Sequence, residues 1–226
     1  MNERGVKIDT AYLKKLSQEY HKELSVLEKK IHILAGPYTQ GSGEAEFNIN
    51  SPKQLGDVLF NRLGLKPARQ KKTEGGALST RESELLKMRE MHPIIKEILE
   101  YREFQKLLST YIDNLPEMVG KDGRLHAEFL QAGAATGRMA SQNPGLQNIP
   151  IQTERGRRIR NAFVAEKGNT LLALDYSQIE LRVAAILSGD EKLAHIFQAG
   201  EDVHTSVAAY VFRVSRDEIT KEMRRE

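Results

Sequence analysis

Leu13, Leu16, Tyr20, Leu24, Leu27, Ile31 and Leu34 recur at spacings of three and four, with charged residues between them. That period places the apolar side chains on one face of an α-helix. Asp9 stands at the expected N-cap, and Gly36-Pro37 ends the pattern. A loop of small and polar residues follows from Tyr38 to Glu46. Ser51-Pro52-Lys53-Gln54 predicts a capping box with proline at the first helical position, ahead of Leu55, Val58 and Leu59. Arg69 to Gly76 reads as a basic, glycine-containing loop. Ser79 and Glu82 predict a second capping box before Leu85 and Leu86. Pro93 opens another long helix, with Ile94, Ile95, Ile98, Leu99, Leu107, Leu108 and Ile112 apolar, and the two long helices can pair antiparallel.

The pattern changes at Gly120-Lys121-Asp122-Gly123. Arg124 to Gln131 alternates partly and predicts a strand, and Thr170 to Leu174 is a short apolar run that predicts another, ending in Asp175. Helical spacing returns at Ile179, Val183, Ile186 and Leu187, then after Asp202 at Val203, Val207 and Val211. Ser215 and Glu218 predict a third capping box, whose helix runs to Glu226 without a C-cap and suggests a truncated chain. The expected fold class is α+β: about 120 helical residues, then the start of a mixed region.

The 226 residues allow one large domain or two small ones. At 39% hydrophobic and 29% charged, the composition is that of a globular protein. Cysteine is absent, which excludes disulfides and thiolate metal sites and fits a reducing, cytoplasmic compartment. No apolar run is long enough to span a membrane, and MNERGVKIDT has no signal-peptide core. The net charge of +3 says little about partners. Locally, Arg138, Arg155, Arg157, Arg158 and Arg160 stand against Glu154 alone between Gln131 and Phe163, a stretch that either tracks phosphates or forms a solvated basic surface.

Three constellations carry possible chemistry. In Asp175-Tyr176-Ser177-Gln178-Ile179-Glu180-Leu181-Arg182 a carboxylate follows an apolar strand and precedes a helix. Such a hard oxygen suits magnesium shared with phosphates, and it equally suits a helix N-cap. Ala135-Thr136-Gly137-Arg138, with Ser141 and Asn143 to Pro150, offers donors to the minor-groove acceptors common to all base pairs, or an ordinary polar loop. His204, near a helix start, and Arg224 could meet a triphosphate, although a lone histidine is more often a plain surface or core residue.

Taken together, TGRMASQNPGLQNIP, GRRIRNAF, LALDYSQIELR and AGEDVHTSVAAYVF, in this order, resemble the family A DNA polymerases. GVKID, EFNINSPKQLGDVLF, GGALST and ILEYREFQKLLSTYIDNLP resemble that family's thumb, so the resemblance spans essentially the whole chain. It implies template-directed DNA synthesis from deoxynucleoside triphosphates on primer-template DNA, with two Mg2+ ions in the complete enzyme. Asp175 then matches a catalytic metal ligand and the Tyr176 carbonyl a further one. Gln178, Glu180, His204 and Arg224 match nucleotide-binding positions, with Glu180 as the gate against ribose. Arg138, Gln147, Asn148, Lys106, Ser109 and Thr110 match DNA-binding positions. Subdomains are expected at 1–122 (thumb), 123–190 (palm) and 191–226 (start of the fingers), in a monomer.

The chain departs from the family pattern at Gly145, where asparagine is frequent, at Met139-Ala140 in place of Leu-Ser, and at Leu108, where lysine is frequent. Pro37 to Ala45 is longer than in compact relatives. The lysine, the aromatic motif and the second aspartate that follow in the family do not occur within these residues, so the 226-residue chain alone is expected to bind DNA without turning over. A single-subunit RNA polymerase shares an aspartate at this place, but Glu180 argues against it, since a ribonucleotide enzyme needs room for the 2′-hydroxyl.

Overall fold

We describe the protein from a computed structural model, which describes residues 2–37, 39–40, 43–44, 46–65, 67, 70–73 and 75–224, with backbone alone for 39–40 and 43–44. Arg69, Arg225 and Glu226, and parts of the loops expected at 38–46 and 69–76, lie outside the described residues. The chain packs as two units, residues 1–171 and 172–226. This partition differs from the subdomain boundaries expected at 122/123 and 190/191.

The first unit is built on two long helices. After strand β1 (Val6–Lys7), helix α1 (Thr10–Ala35) starts where the Asp9 carboxylate accepts from the Tyr12 amide at 2.8 Å, so the N-cap reading holds. It ends at Gly36, whose φ of 70° a side chain would oppose. Strands β2 (Thr39–Gln40) and β3 (Gly43–Glu44) form a minimal hairpin in the stretch expected to be loop. Helix α2 (Pro52–Gly56) continues as a π-helical turn over Asp57–Arg62. Ser51 caps α2 as expected, but the Gln54 side chain accepts from the Asn48 amide at 2.6 Å, and the Ser51 amide donates to the Asn48 carbonyl.

The second capping box does not form. Helix α3 (Glu82–Leu86) is preceded by Arg81, and Ser79 accepts from the Arg81 amide in a local turn, so its hydroxyl is spent before the helix begins. Helix α4 (Pro93–Leu107) is capped by His92 and passes into a π-helical turn, Leu108–Ile112. A short helix α5 (Asn114–Glu117) follows. The pairs Lys30–Glu97, Tyr20–Phe104 and His21–Asp113 run in opposite chain directions, so α1 and α4 are antiparallel. The apolar faces foreseen from the spacing, Leu13 to Ile31 and Ile94 to Ile112, meet in the main core, with Leu34 and Leu99 packed at its edge.

The single strand expected over Arg124–Gln131 is two. Strand β4 (Arg124–Leu125) pairs antiparallel with β1, and β5 (Glu128–Leu130) pairs antiparallel with β6 (Ala140–Gln142). His126, between them, bonds the Asp122 carboxylate and the Asn2 carbonyl, and so ties the break to the N-terminal segment. A 3₁₀ turn (Leu146–Asn148) and helix α6 (Glu154–Arg160, capped by Thr153) complete this unit. No described helix is long and apolar enough to cross a membrane.

The second unit holds helices α7 (Ile179–Ser188), α8 (Glu191–Gln198) and α9 (Val203–Phe212). Its buried core is thin: Ala185, Val203 and Ala208. Ile179, Val183, Ile186, Leu187, Val207 and Val211 are exposed, so of the apolar positions foreseen for these helices Val203 alone is buried. The run expected to be a strand joins no ladder among the described residues, with Leu172 79% and Leu174 86% exposed. Its pattern, apolar on both faces, is that of a central strand, and among the described residues no neighbour pairs with it. The Ser215–Glu218 capping box forms, but it closes a 3₁₀ turn, Arg216–Glu218, and the helix expected to run to Glu226 is replaced by turns through Arg224.

Candidate DNA and nucleotide interface

In the first unit, α4 and the segment 147–155 enclose an open groove of about 980 Å³. Lys106, Gln147 and Asn148 line it together, with Lys96 and Arg102 of α4 and Arg89 of the turn before it. Three of the DNA-contact candidates are thus brought to one surface. Ser109 and Thr110 are exposed on the π-helical turn after α4, and Arg138 is exposed in the loop before β6. Leu108, where lysine is frequent in the family, is buried in the core at 1% exposure.

The loop carrying these candidates is braced from within. The Ser141 hydroxyl accepts from the Gln147 amide at 3.2 Å, and the Gln147 side chain donates to the Met139 carbonyl at 2.8 Å. The Tyr111 hydroxyl donates to the Asn148 carbonyl at 2.5 Å. A Cβ at Gly145 would stand 3.1 Å from the side-chain Nδ2 of Asn148 and 3.4 Å from the Ser141 carbonyl oxygen.

Two of the five arginines read as a phosphate track or a solvated basic surface do other work. The Arg155 guanidinium pairs with Glu100 and Glu103 of α4 and lies 4.3 Å over the Phe104 ring. Arg158 grips Glu19 of α1 through two bonds of 2.6 Å. That hydrogen bonding holds the Glu19 carboxyl below the usual carboxylate range. Tyr12 and Tyr20 donate their hydroxyls to the Arg158 and Arg155 carbonyls. Helix α6 is therefore docked on α1 and α4 by charge-assisted bonds. The sequence carried a signal for this: Arg155 and Arg158, and likewise Glu100 and Glu103, stand at i,i+3 and so share a helix face.

In the second unit, Asp175 and Tyr176 are exposed directly after Leu174. Asp175 is not a helix cap. The residue preceding α7 is Gln178, whose φ of 53° is left-handed. Sequence reading missed Asp202 as more than a helix start. Its carboxylate caps α9 through the Thr205 amide at 2.9 Å and the Thr205 hydroxyl at 2.6 Å. It also accepts from Gln178 at 2.5 Å and from Arg224 at 2.8 and 3.0 Å. The Arg224 guanidinium, then desolvation working against it, then Thr205 and Gln178, set its acidity, and the net effect holds the carboxyl far below the usual range. Two nucleotide candidates, Gln178 and Arg224, are thus assembled on one carboxylate. His204 lies exposed in the first turn of α9, and Glu180 is exposed in the first turn of α7.

As metal donors, the Asp175 carboxylate and the Tyr176 carbonyl are hard oxygens of the kind magnesium takes, and both are accessible. Among the described residues no cluster of three His, Cys, Asp or Glu side chains could hold an ion by itself. The donors fit such an ion in kind, with the remaining positions left to substrate oxygens and water, as is usual for magnesium.

The family model of DNA polymerase family A matches residues 10–226. The thermostable DNA polymerase I of Thermus aquaticus is 50% identical over 226 residues, covering 100% of this chain and 26% of that protein. The DNA polymerase I of Bacillus subtilis is 45% identical over 228 residues, covering 25% of its length. A solved structure of the POL domain of Pol1 from M. smegmatis, in complex with DNA primer-template and dNTP, superposes with a TM-score of 0.84 at 39% identity. It covers 98% of this chain and 38% of that one. The chain thus spans about a quarter of the length of the curated relatives it matches.

Proposed function

Because the chain belongs to DNA polymerase family A, we propose that it forms the thumb and the first parts of the palm and fingers of an enzyme that copies DNA. In this reading residues 1–122 are thumb, 123–190 the first part of the palm, and 191–226 the start of the fingers. The partners are primer-template DNA and deoxynucleoside triphosphates, the working form is a monomer, and the compartment is the cytoplasm. The observation that carries the reading is the family match over 10–226; the roles of Asp175, Glu180 and Arg138 rest on the motif resemblance.

The reaction joins the primer 3′-oxygen to the α-phosphorus and releases pyrophosphate. Asp175 and the Tyr176 carbonyl would hold magnesium, which when bound would neutralise charge in an in-line displacement. Arg224 and His204 face the phosphates. Arg224 must first leave Asp202, or share it, to donate there. Gln178 shapes the nucleotide pocket, and Glu180 crowds the sugar 2′ position. Arg138, Gln147 and Asn148 donate to minor-groove acceptors at the primer end, and Lys106, Ser109 and Thr110 follow the duplex backbone. Positioning and preorganised charge then supply most of the rate. The test is primer extension by the full-length protein that carries this segment.

A second reading concerns the 226-residue polypeptide by itself, as a sequence-independent DNA-binding segment without turnover. The unladdered, exposed run Leu171–Leu174 favours it, because that run carries Asp175 without a sheet to fix it. Primer extension with the isolated polypeptide decides between the two.

A further inference from the structure

The π-helical turn Leu108–Ile112 faces two ways. Ser109 and Thr110 point to solvent, while Tyr111 is 7% exposed in the core. Only the Tyr111 hydroxyl leaves that core, and it meets the Asn148 carbonyl at 2.5 Å. Burial pushes the phenol upward from its ordinary acidity, which keeps it a donor. Asn148 ends the 3₁₀ turn whose Gln147 in turn holds the Met139 carbonyl, next to Arg138. Two hydrogen bonds joined through the backbone therefore connect the π-helical turn that carries Ser109 and Thr110 with the loop that carries Arg138. π-Turns of this kind concentrate at functional sites, since they redirect side chains within a helix.

We infer that Tyr111 is a positioning residue, whose hydroxyl sets the Gln147–Asn148 turn against the duplex in register with Ser109 and Thr110. This rests on the proposed reading of the groove as a DNA surface. A tyrosine that served only the core would work as well with phenylalanine in its place. A tether would not, because Tyr111→Phe keeps the packed ring and removes the one bond to the turn.

Duplex binding by the 226-residue chain, titrated against salt, separates these roles. Tyr111→Phe should weaken binding about three- to ten-fold, the equivalent of one net hydrogen bond. Its salt slope should match that of the wild type, whereas Lys106→Ala should reduce the slope by about one unit. The pair Gln147→Ala/Asn148→Ala should weaken binding too, and adding Tyr111→Phe to that pair should weaken it no further, because Tyr111 acts through the side chains of this turn while the Asn148 carbonyl it bonds is kept. The melting point of Tyr111→Phe should fall by no more than about 2–4 °C. Full additivity of Tyr111→Phe with the Gln147/Asn148 pair, wild-type affinity in Tyr111→Phe, or loss of folding in that variant would each overturn the tether while leaving the groove reading intact. Absence of duplex binding by the wild-type chain would overturn the groove reading, and the tether with it.

Discussion

Asp202 collects Gln178, Thr205 and Arg224 on one carboxylate, although the first and last lie 24 and 22 residues away in sequence. Sequence spacing could identify it as a helix cap, and the structure bears that out. It could not reveal the other donors, because no periodic pattern connects residues so far apart. The depressed acidity of this carboxyl has a signed consequence. Its stabilising contribution is complete above the ordinary aspartate value of about 3.9 and fades only as pH falls below it. We expect the Asp202 carboxyl resonance to remain that of an ionised group at pH 3, where ordinary aspartates are mostly protonated. Arg224→Gln should move its midpoint back toward the ordinary value. An unshifted midpoint in the wild-type protein would remove Asp202 as the organiser of Gln178 and Arg224.

At the scale of elements, the long helices were legible because a strong period repeats over α1 and α4 and because capping chemistry is local. The sequence misled where tertiary partners decide. Arg124–Gln131 splits because His126 and the N-terminal segment interrupt it, and Thr170–Leu174 has the pattern of a buried strand without a paired neighbour. The arginine-rich stretch read as a phosphate track because its acidic partners, Glu19, Glu100 and Glu103, lie on other helices. Arg155→Met keeps the aliphatic stem but removes both ion pairs and the contact with the Phe104 ring. It should destabilise the first unit by about 1–2 kcal/mol, discounted for partial exposure. For a chain of this size that corresponds to a melting point lower by about 2–8 °C. An unchanged melting point would show that the docking of α6 does not depend on this arginine.

At the scale of the molecule, the family and its α+β character were visible from motif order alone, and the comparisons bear both out. The groove was not visible, since Lys106, Gln147 and Asn148 meet only once α4 packs beside the 147–155 segment. The basic residues of the first unit, Lys71, Lys72 and Lys106 among them, offer charge to phosphates without reading bases. The 226-residue chain should therefore bind duplex DNA with a Kd of about 10⁻⁴–10⁻⁶ M, without sequence preference, and more weakly as salt rises. Fluorescence anisotropy with two unrelated duplexes at several salt concentrations checks this. A strong preference for one duplex, or affinity indifferent to salt, would refute the groove assignment.

The central claim is that Asp175 and Glu180 sit at the chemical centre of a DNA-synthesising enzyme, the first at the reacting phosphate and the second at the sugar. Primer extension by the full-length protein, with matched deoxy- and ribonucleotides, tests it most directly, because kcat/KM for each sugar separates the two roles. The wild type should extend with deoxynucleotides. Asp175→Ala should abolish extension with either sugar, whereas Glu180→Ala should retain extension and shift the ratio toward ribonucleotides, each tenfold of lost discrimination representing about 1.4 kcal/mol. Extension by Asp175→Ala at the wild-type rate, or an unchanged sugar ratio in Glu180→Ala, would contradict the account.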